Sequence, residues 1–302
     1  MLELRSAASE EDVSAFLAIR AAVDPDFPMT REAFDAERTT PGRLDVLALL
    51  DGRPAGGAFV ERQFGDATSS TAAISVRVLD SCRRRGIGTM LLEHVARHAE
   101  GFGATELYAI ARTEADDLLA FYAAHGLREV GRVQDVELFP SEVEVAADAP
   151  PGIEIVPLGA RAELEAGMYE VVRQADADVP AARRTRTGSF EQWRRRSLGS
   201  SLVERELSFV ALEGDAVVGY TILGRAASGD ATHWMTGVRR DRRGRGIATA
   251  LKRAQIAGAR AAGIPTLRAQ NDLANAAMRR VNEKLGYRAR LEWVHVAGPL
   301  RV

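Results

Sequence analysis

Residues 83–95 read RRRGIGTMLLEHV, and residues 243–254 read RGRGIATALKRA. In each, arginines lead into a glycine, Gly86 or Gly246, and then into a run of helix formers with apolar residues at helical spacing. A β-branched segment precedes both, so the pattern is strand, tight loop, helix. Glycine at 86 and 246 removes the side chain where a ligand approaches the backbone. Gly88 and Ala248 keep the first helical turn small. The first amides of such a helix lack an intrahelical acceptor and lie at the positive end of its dipole, which suits a pyrophosphate.

The two stretches belong to a longer repeat. Displaced by 160 residues, the sequence keeps register with itself without a gap for about fifty residues. Val78 meets Val238, Arg83 meets Arg243, and Arg85-Gly86-Ile87 meets Arg245-Gly246-Ile247. Thr89, Leu91, Gly103, Leu107, Ala109 and Gly126 likewise meet Thr249, Leu251, Gly263, Leu267, Ala269 and Gly286. A unit of this size reads as domain duplication, with the join in SEVEVAADAPPG, residues 141–152. The expected domains are 1–145 and 146–302.

Each half follows one order. LELRSA is a strand, and Ser9 caps a helix carrying Val13, Phe16, Leu17 and Val23. LDVLALLD and PAGGAFVERQ form a hairpin around Asp51-Gly52, and TAAISVRVL adds a third strand. A helix from Gly86, the strand TELYAIA, a helix over 114–125 and strands within 127–140 complete the half. The second half repeats this, with helical segments in 161–199 and closing strands in 287–298. The fold class is therefore α/β, a mixed α+β sheet with helices on both faces in each half.

Composition sets the outer limits. The 302 residues are 46% hydrophobic and 27% charged with net charge −2, as in a globular protein. Near-neutral charge argues against nucleic acid or an anionic membrane as the main partner, despite VRRDRRGRG at 238–246. A single cysteine, Cys82, excludes an internal disulfide and fits the cytoplasm. No run approaches membrane-spanning length. His94 and His98 stand at i, i+4 but lack a third ligand in the pattern, so no metal is expected. Gly-Lys-Ser/Thr is missing, as is the third glycine of a dinucleotide fingerprint.

VLDSCRRRGIGTMLL and VRRDRRGRGIATALK resemble the acetyl-CoA loop of the GNAT superfamily of N-acetyltransferases, Arg/Gln-x-x-Gly-x-Gly/Ala. NAAMRRVNEKLGY at 275–287 and LLAFYAAHGL at 118–127 are similar to that family's following helix, and the order of elements matches in both halves. The resemblance implies two tandem GNAT acyl-CoA N-acyltransferase folds. It implies acetyl-CoA as acyl donor, coenzyme A as product and a small-molecule amine as acceptor, in a monomer or homodimer.

The resemblance assigns the pyrophosphate to Arg83, Arg84, Arg85, Gly86, Ile87, Gly88 and Thr89, and to Arg243, Gly244, Arg245, Gly246, Ile247, Ala248 and Thr249. The pantetheine runs along strand ends at Val78 and Val238. Asn275 matches the family's coenzyme-binding asparagine, Asn271 and Asn282 add polar groups, and Met278 stands where the family prefers a small residue. Tyr122, four residues before Gly126, matches the tyrosine that protonates the departing thiolate; Asn282 occupies the equivalent place. His233 and Glu206 are the candidates for general base, although simple strand alternation from Val238 puts Trp234 and Thr236 on the pantetheine side and His233 on the other unless a bulge intervenes. Segments 23–40 and 170–205 are left for the acceptor. Ala115 and Asn282 raise an alternative, a catalytically silent acetyl-CoA-binding regulator.

Overall fold

The computed structural model describes residues 1–25, 29–63, 68–144, 146, 148–176, 188–225 and 229–300. The first repeat supplies β1 (Leu2–Ser6), α1 (Glu10–Val23), α2 (Arg31–Glu37), β2 (Leu44–Leu50), β3 (Arg53–Arg62), β4 (Thr71–Val78), α3 (Ile87–Gly101), β5 (Glu106–Arg112), α4 (Asp116–Ala124) and β6 (Arg128–Leu138). The second supplies β7 (Glu154–Pro157), α5 (Glu165–Asp176), α6 (Phe190–Leu198), β8 (Phe209–Glu213), β9 (Ala216–Arg225), β10 (Ala231–Val238), α7 (Ile247–Ala261), β11 (Leu267–Asp272), α8 (Ala276–Lys284) and β12 (Arg288–Pro299).

The chain forms two compact units, Met1–Val130 with Val294–Val302, and Gly131–Trp293. The sheet of the first runs β1-β2-β3-β4-β5-β12 and that of the second β6-β11-β10-β9-β8-β7. The expected division at 145/146 separates the repeats, whereas the units divide at 130/131 and 293/294. The reason is register: β6 pairs antiparallel with β11 from Leu138↔Leu267 to Val133↔Asp272, so the strand closing the first repeat serves the second unit. Each closing region is one long strand where two short ones were expected.

Local chemistry explains the elements. Ser9 caps α1, accepting from the Asp12 amide at 3.1 Å. The β2–β3 hairpin turns at Asp51 and Gly52, both at positive φ (51° and 74°), the geometry that Asp-Gly favours. α2 was not anticipated: Thr30 caps it, and Phe34, fully buried, docks with Val13 and Phe16 of α1. On the other sheet face Ile87, Leu91, Leu92 and Val95 of α3 pack on Val46, Ala58, Ile74 and Val76. In the second unit Ile247 and Leu251 of α7 pack on Ala211 and Val218, while Met168, Val171 and Trp193 cover Tyr220 and Ile222.

Two glycines let α3 and α7 approach the sheet beside their loops. A Cβ on Gly56 would lie 2.7 Å from the Arg77 carbonyl and 3.2 Å from Leu91. A Cβ on Gly219 would lie 3.0 Å from the Gly237 carbonyl and 3.2 Å from Leu251.

The two cores differ in kind under these helices. The first unit buries Leu92, Val95 and Leu127 with Ile74 of β4. At the positions 160 residues after the first three the second unit buries Lys252, Gln255 and Tyr287, with His233 of β10 bonded to Tyr287. Burial alone lowers the Lys252 ammonium to a pKa of about 7. Relative to an ordinary lysine this costs roughly 4–5 kcal/mol while the group is charged. The unfolded chain keeps a proton at Lys252 up to about pH 10, whereas the folded chain releases it near 7, so this contribution makes stability rise with pH across that window and stay flat below it. Lys252→Leu should therefore be more stable than the parent by a few kcal/mol at pH 6–7 in urea unfolding, with an advantage that shrinks toward pH 10. A gain independent of pH would contradict the assignment.

Candidate functional site

In each unit two parallel neighbours start paired and then part. β4 and β5 pair only from Thr71↔Glu106 to Ile74↔Ala109, although β4 continues to Val78 and β5 to Arg112. β10 and β11 pair only at Ala231↔Leu267 and Thr232↔Arg268. Past these points the facing strand edges offer main-chain donors and acceptors to whatever enters, as a sheet edge does to an added strand.

Each gap leads to an arginine–glycine loop, and the two loops repeat each other torsion by torsion. Leu79 and Arg239 precede short 3-10 turns at φ/ψ of −55°/139° and −49°/139°. Arg83 and Arg243 are extended at −64°/162° and −67°/160°. Arg84 (φ 61°) and Gly244 (φ 77°) then turn left-handed, as do Gly86 (79°) and Gly246 (82°). Nothing lies within 4 Å of a Cβ built on Gly86, so the demand for glycine there is torsional.

Gly86 and Gly246 are the N-caps of α3 and α7 and have no side chain to cap with. The first intrahelical bonds run from Met90 to the Gly86 carbonyl (3.1 Å) and from Ala250 to the Gly246 carbonyl (3.0 Å). The amides of Ile87, Gly88 and Thr89, and of Ile247, Ala248 and Thr249, precede them and lack helical acceptors. At the second small position a Cβ on Gly88 would lie 3.3 Å from the Phe121 ring, and the residue 160 places after Phe121 is the smaller Val281.

The arginines divide by task. Arg83 and Arg243 donate through Nε to the carbonyls of Val78 and Val238 (3.4 and 3.1 Å), tying each loop to its strand end. Arg83 also pairs with Asp80 at 2.8 Å. Arg245 and Arg242 share Glu213 (2.9 and 2.6 Å), which holds that carboxyl below its ordinary value. Arg84 and Arg85 are exposed.

Tyr122 of α4 is buried, and burial pushes its phenol up to about 12 against a hydrogen bond from the Val76 backbone. Val76 lies two residues past the last paired position of β4, so the phenol oxygen borders the gap. In the second unit Asn282 donates through Nδ2 to Asn271 Oδ1 at 2.6 Å. Its own Oδ1 is buried without a partner among the described residues. Asn275 is used as the N-cap of α8, accepting from the Met278 amide at 3.1 Å.

Simple alternation fails along β10. The register against β9 shifts between His233↔Leu223 and Met235↔Ile222, with Trp234 as the extra residue of a bulge. Met235 packs with Trp193 and Tyr220, while His233 turns to the face of Thr236, toward α7. The expectation that put His233 opposite Thr236 is thereby corrected. β4 keeps its register with β3 throughout, so the first unit lacks the bulge. Glu206 lies against the turn at Gly159, where a Cβ would stand 3.1 Å from its carboxylate.

Several features escaped the sequence. Gly224 accommodates the Trp234 ring, which a Cβ there would overlap at 2.1 Å. His233 Nε2 and the Tyr287 hydroxyl are hydrogen-bonded partners, as are Tyr108 and His295 in the first unit. Of the segments left for an acceptor, residues 26–28 and 177–187 lie outside the described residues. Arg194, within the basic stretch 183–196, pairs with the buried Glu165 at 2.5 Å. Among the described residues no helix is long and apolar enough to cross a membrane.

A profile of the acetyltransferase (GNAT) family matches residues 9–127 and 169–287, two stretches displaced by the same 160 residues. The fold is similar to a GCN5-related N-acetyltransferase from Sphaerobacter thermophilus, at 21% identity and a TM-score of 0.80, covering 100% of this chain and 96% of that one. It is also similar to a tandem GNAT protein from the clavulanic acid biosynthesis pathway, at 21% identity and a TM-score of 0.75, covering 100% and 99%. A search of curated proteins found no match. Parted strands, uncapped helix and matched family coincide in both repeats, and the chain belongs to the acetyltransferase (GNAT) family as two GNAT folds in tandem.

Proposed function

We propose that this N-acetyltransferase draws its acetyl group from acetyl-CoA and moves it directly to the primary amine of a small molecule, releasing coenzyme A. The observation that carries the reading is the pair of uncapped helix N-termini, each at the mouth of a gap between parted strands. Three free amides, a left-handed glycine and nearby arginines fit a pyrophosphate. The gap beyond offers a strand edge to an extended, amide-bearing pantetheine arm.

The residues divide the chemistry. In each unit the main chain of β4 or β10 beyond the parting point supplies the donors that polarise a thioester carbonyl. Tyr122 supplies the proton to the departing sulfur in the first unit, because its oxygen meets β4 at Val76. Asn282 has no acidic proton to transfer, and with Asn271 it serves coenzyme binding through its unpartnered Oδ1. Neutral, buried His233, turned toward α7 by the bulge, is the candidate base of the second unit.

Calorimetry with acetyl-CoA tests the reading loop by loop. Gly86→Asp and Gly246→Asp each force a side chain into the left-handed region and put a negative charge among the free amides. Each should weaken its own site at least tenfold, about 1.4 kcal/mol or more, and the double variant should show no heat. Undiminished binding by the double variant would remove the proposal. With the second loop blocked by Gly246→Asp, Tyr122→Phe should lower the remaining kcat for amine-dependent thiol release roughly a hundredfold, with KM little changed; an unchanged kcat there would take the proton donor's role from Tyr122.

A further inference from the structure

The second unit has asparagine at position 282, yet it buries a lysine with its histidine–tyrosine pair, whereas the first unit's buried Tyr108–His295 pair has no lysine beside it among the described residues. His233 follows Thr232, the last residue of β10 paired with β11, so it stands where the strands part. Its Nε2 is hydrogen-bonded to the Tyr287 hydroxyl, and the Lys252 ammonium lies over the Tyr287 ring, 5.1 Å from its centre. Lys252 is 2% exposed and His233 8% exposed, which puts both out of bulk water. His233 Nδ1 makes no hydrogen bond of ordinary length and angle among the described residues, and the Gln255 side chain faces the imidazole from α7. Leu127 and Leu92 stand at the places of Tyr287 and Lys252 in the first unit, with Ile74 of the unbulged β4 in the same cluster, so packing alone does not require protic groups here.

We propose that Lys252, His233 and Tyr287 are the proton-handling centre of the second unit, with Lys252 as the store and His233 as the group that exchanges the proton with the gap. The inference rests on the coenzyme reading above. When the thioester C–S bond breaks, its electron pair goes to sulfur, and sulfur takes a proton from the centre. The amine nitrogen, having formed its C–N bond to the acetyl carbon, gives up one proton and refills the centre, so no proton is gained or lost overall. Tyr287 is a positioning residue that fixes the imidazole through Nε2.

The surroundings favour this role. From β10 the group facing Lys252 electrostatically is His233, and beyond α8 it is Tyr287. The neighbouring polar groups, Thr221 on β9, Thr236 on β10 and Gln255 on α7, are uncharged and bonded among themselves at 2.9–3.0 Å. Among the described residues no carboxylate pairs with Lys252, so its proton is not locked in an ion pair. Burial brings the ammonium to about 7, and burial together with the Lys252 charge keeps His233 neutral against the opposing pull of the Gln255 side chain.

The chain's lysines are Lys252 and Lys284 alone, so lysine-selective isotope labelling gives a side-chain spectrum with two signals. Lys252 should titrate near 7 in the free protein, and coenzyme A should raise its midpoint while Lys284 stays put. In the Tyr122→Phe background, Lys252→Leu should lower amine-dependent thiol release about a hundredfold and abolish its pH dependence near 7, with coenzyme A affinity within about twofold of the parent. Tyr287→Phe should keep the fold and shift the pH profile. Bound coenzyme A with an unmoved Lys252 midpoint overturns this inference alone, as does a Lys252→Leu variant with unchanged rate and profile, or no turnover in the Tyr122→Phe background. No coenzyme binding at all removes the coenzyme reading and this one with it.

Discussion

A helix that begins at a glycine in the left-handed region has no side chain with which to satisfy its first three amides. In this protein that condition occurs twice, at Gly86 and Gly246, and both times the helix lies beside strands that have parted. The rest of the architecture serves that juxtaposition. Gly56 and Gly219 let the helices sit close to the sheet, and Arg83 and Arg243 tie each loop to the last carbonyl of its strand. Unmet main-chain donors are costly unless water or a ligand takes them, and the proposed function gives these to an anion.

The two copies share the loop and the parted strands and differ in their protic groups. The first sets Tyr122 against the main chain of β4 and keeps hydrocarbon beneath it. The second has Asn282 in place of the tyrosine, a bulge at Trp234, and buried lysine, histidine and tyrosine where the first packs leucine and isoleucine. A buried lysine without a carboxylate destabilises a fold, and the apolar residues of the first copy show that the site accepts a cheaper solution.

Much of this was legible in the sequence because backbone requirements leave residue-level marks. Glycine and arginine at fixed positions gave both loops, and an ungapped displacement of 160 residues gave the duplication that the family match repeats. Features set by tertiary context were not legible. α2 is short and docks through Phe34, too little for a periodic stripe. The exchange of β6 and β12 depends on pairing partners far away in sequence. The bulge at Trp234 reversed the face of His233, and a single extra residue in a strand has no periodic signature of its own. Lys252 reads as a solvent-facing helix residue until the fold turns it inward, where only Leu92 in the other copy hints at burial.

The central claim is that the amides of residues 87–89 and 247–249 receive the pyrophosphate of the coenzyme. Amide resonances of uniformly labelled protein, followed as coenzyme A is added, test it at the atoms concerned. The account predicts saturable shifts at Ile87, Gly88 and Thr89 and at Ile247, Ala248 and Thr249. Saturable shifts elsewhere with these six amides unmoved would contradict it.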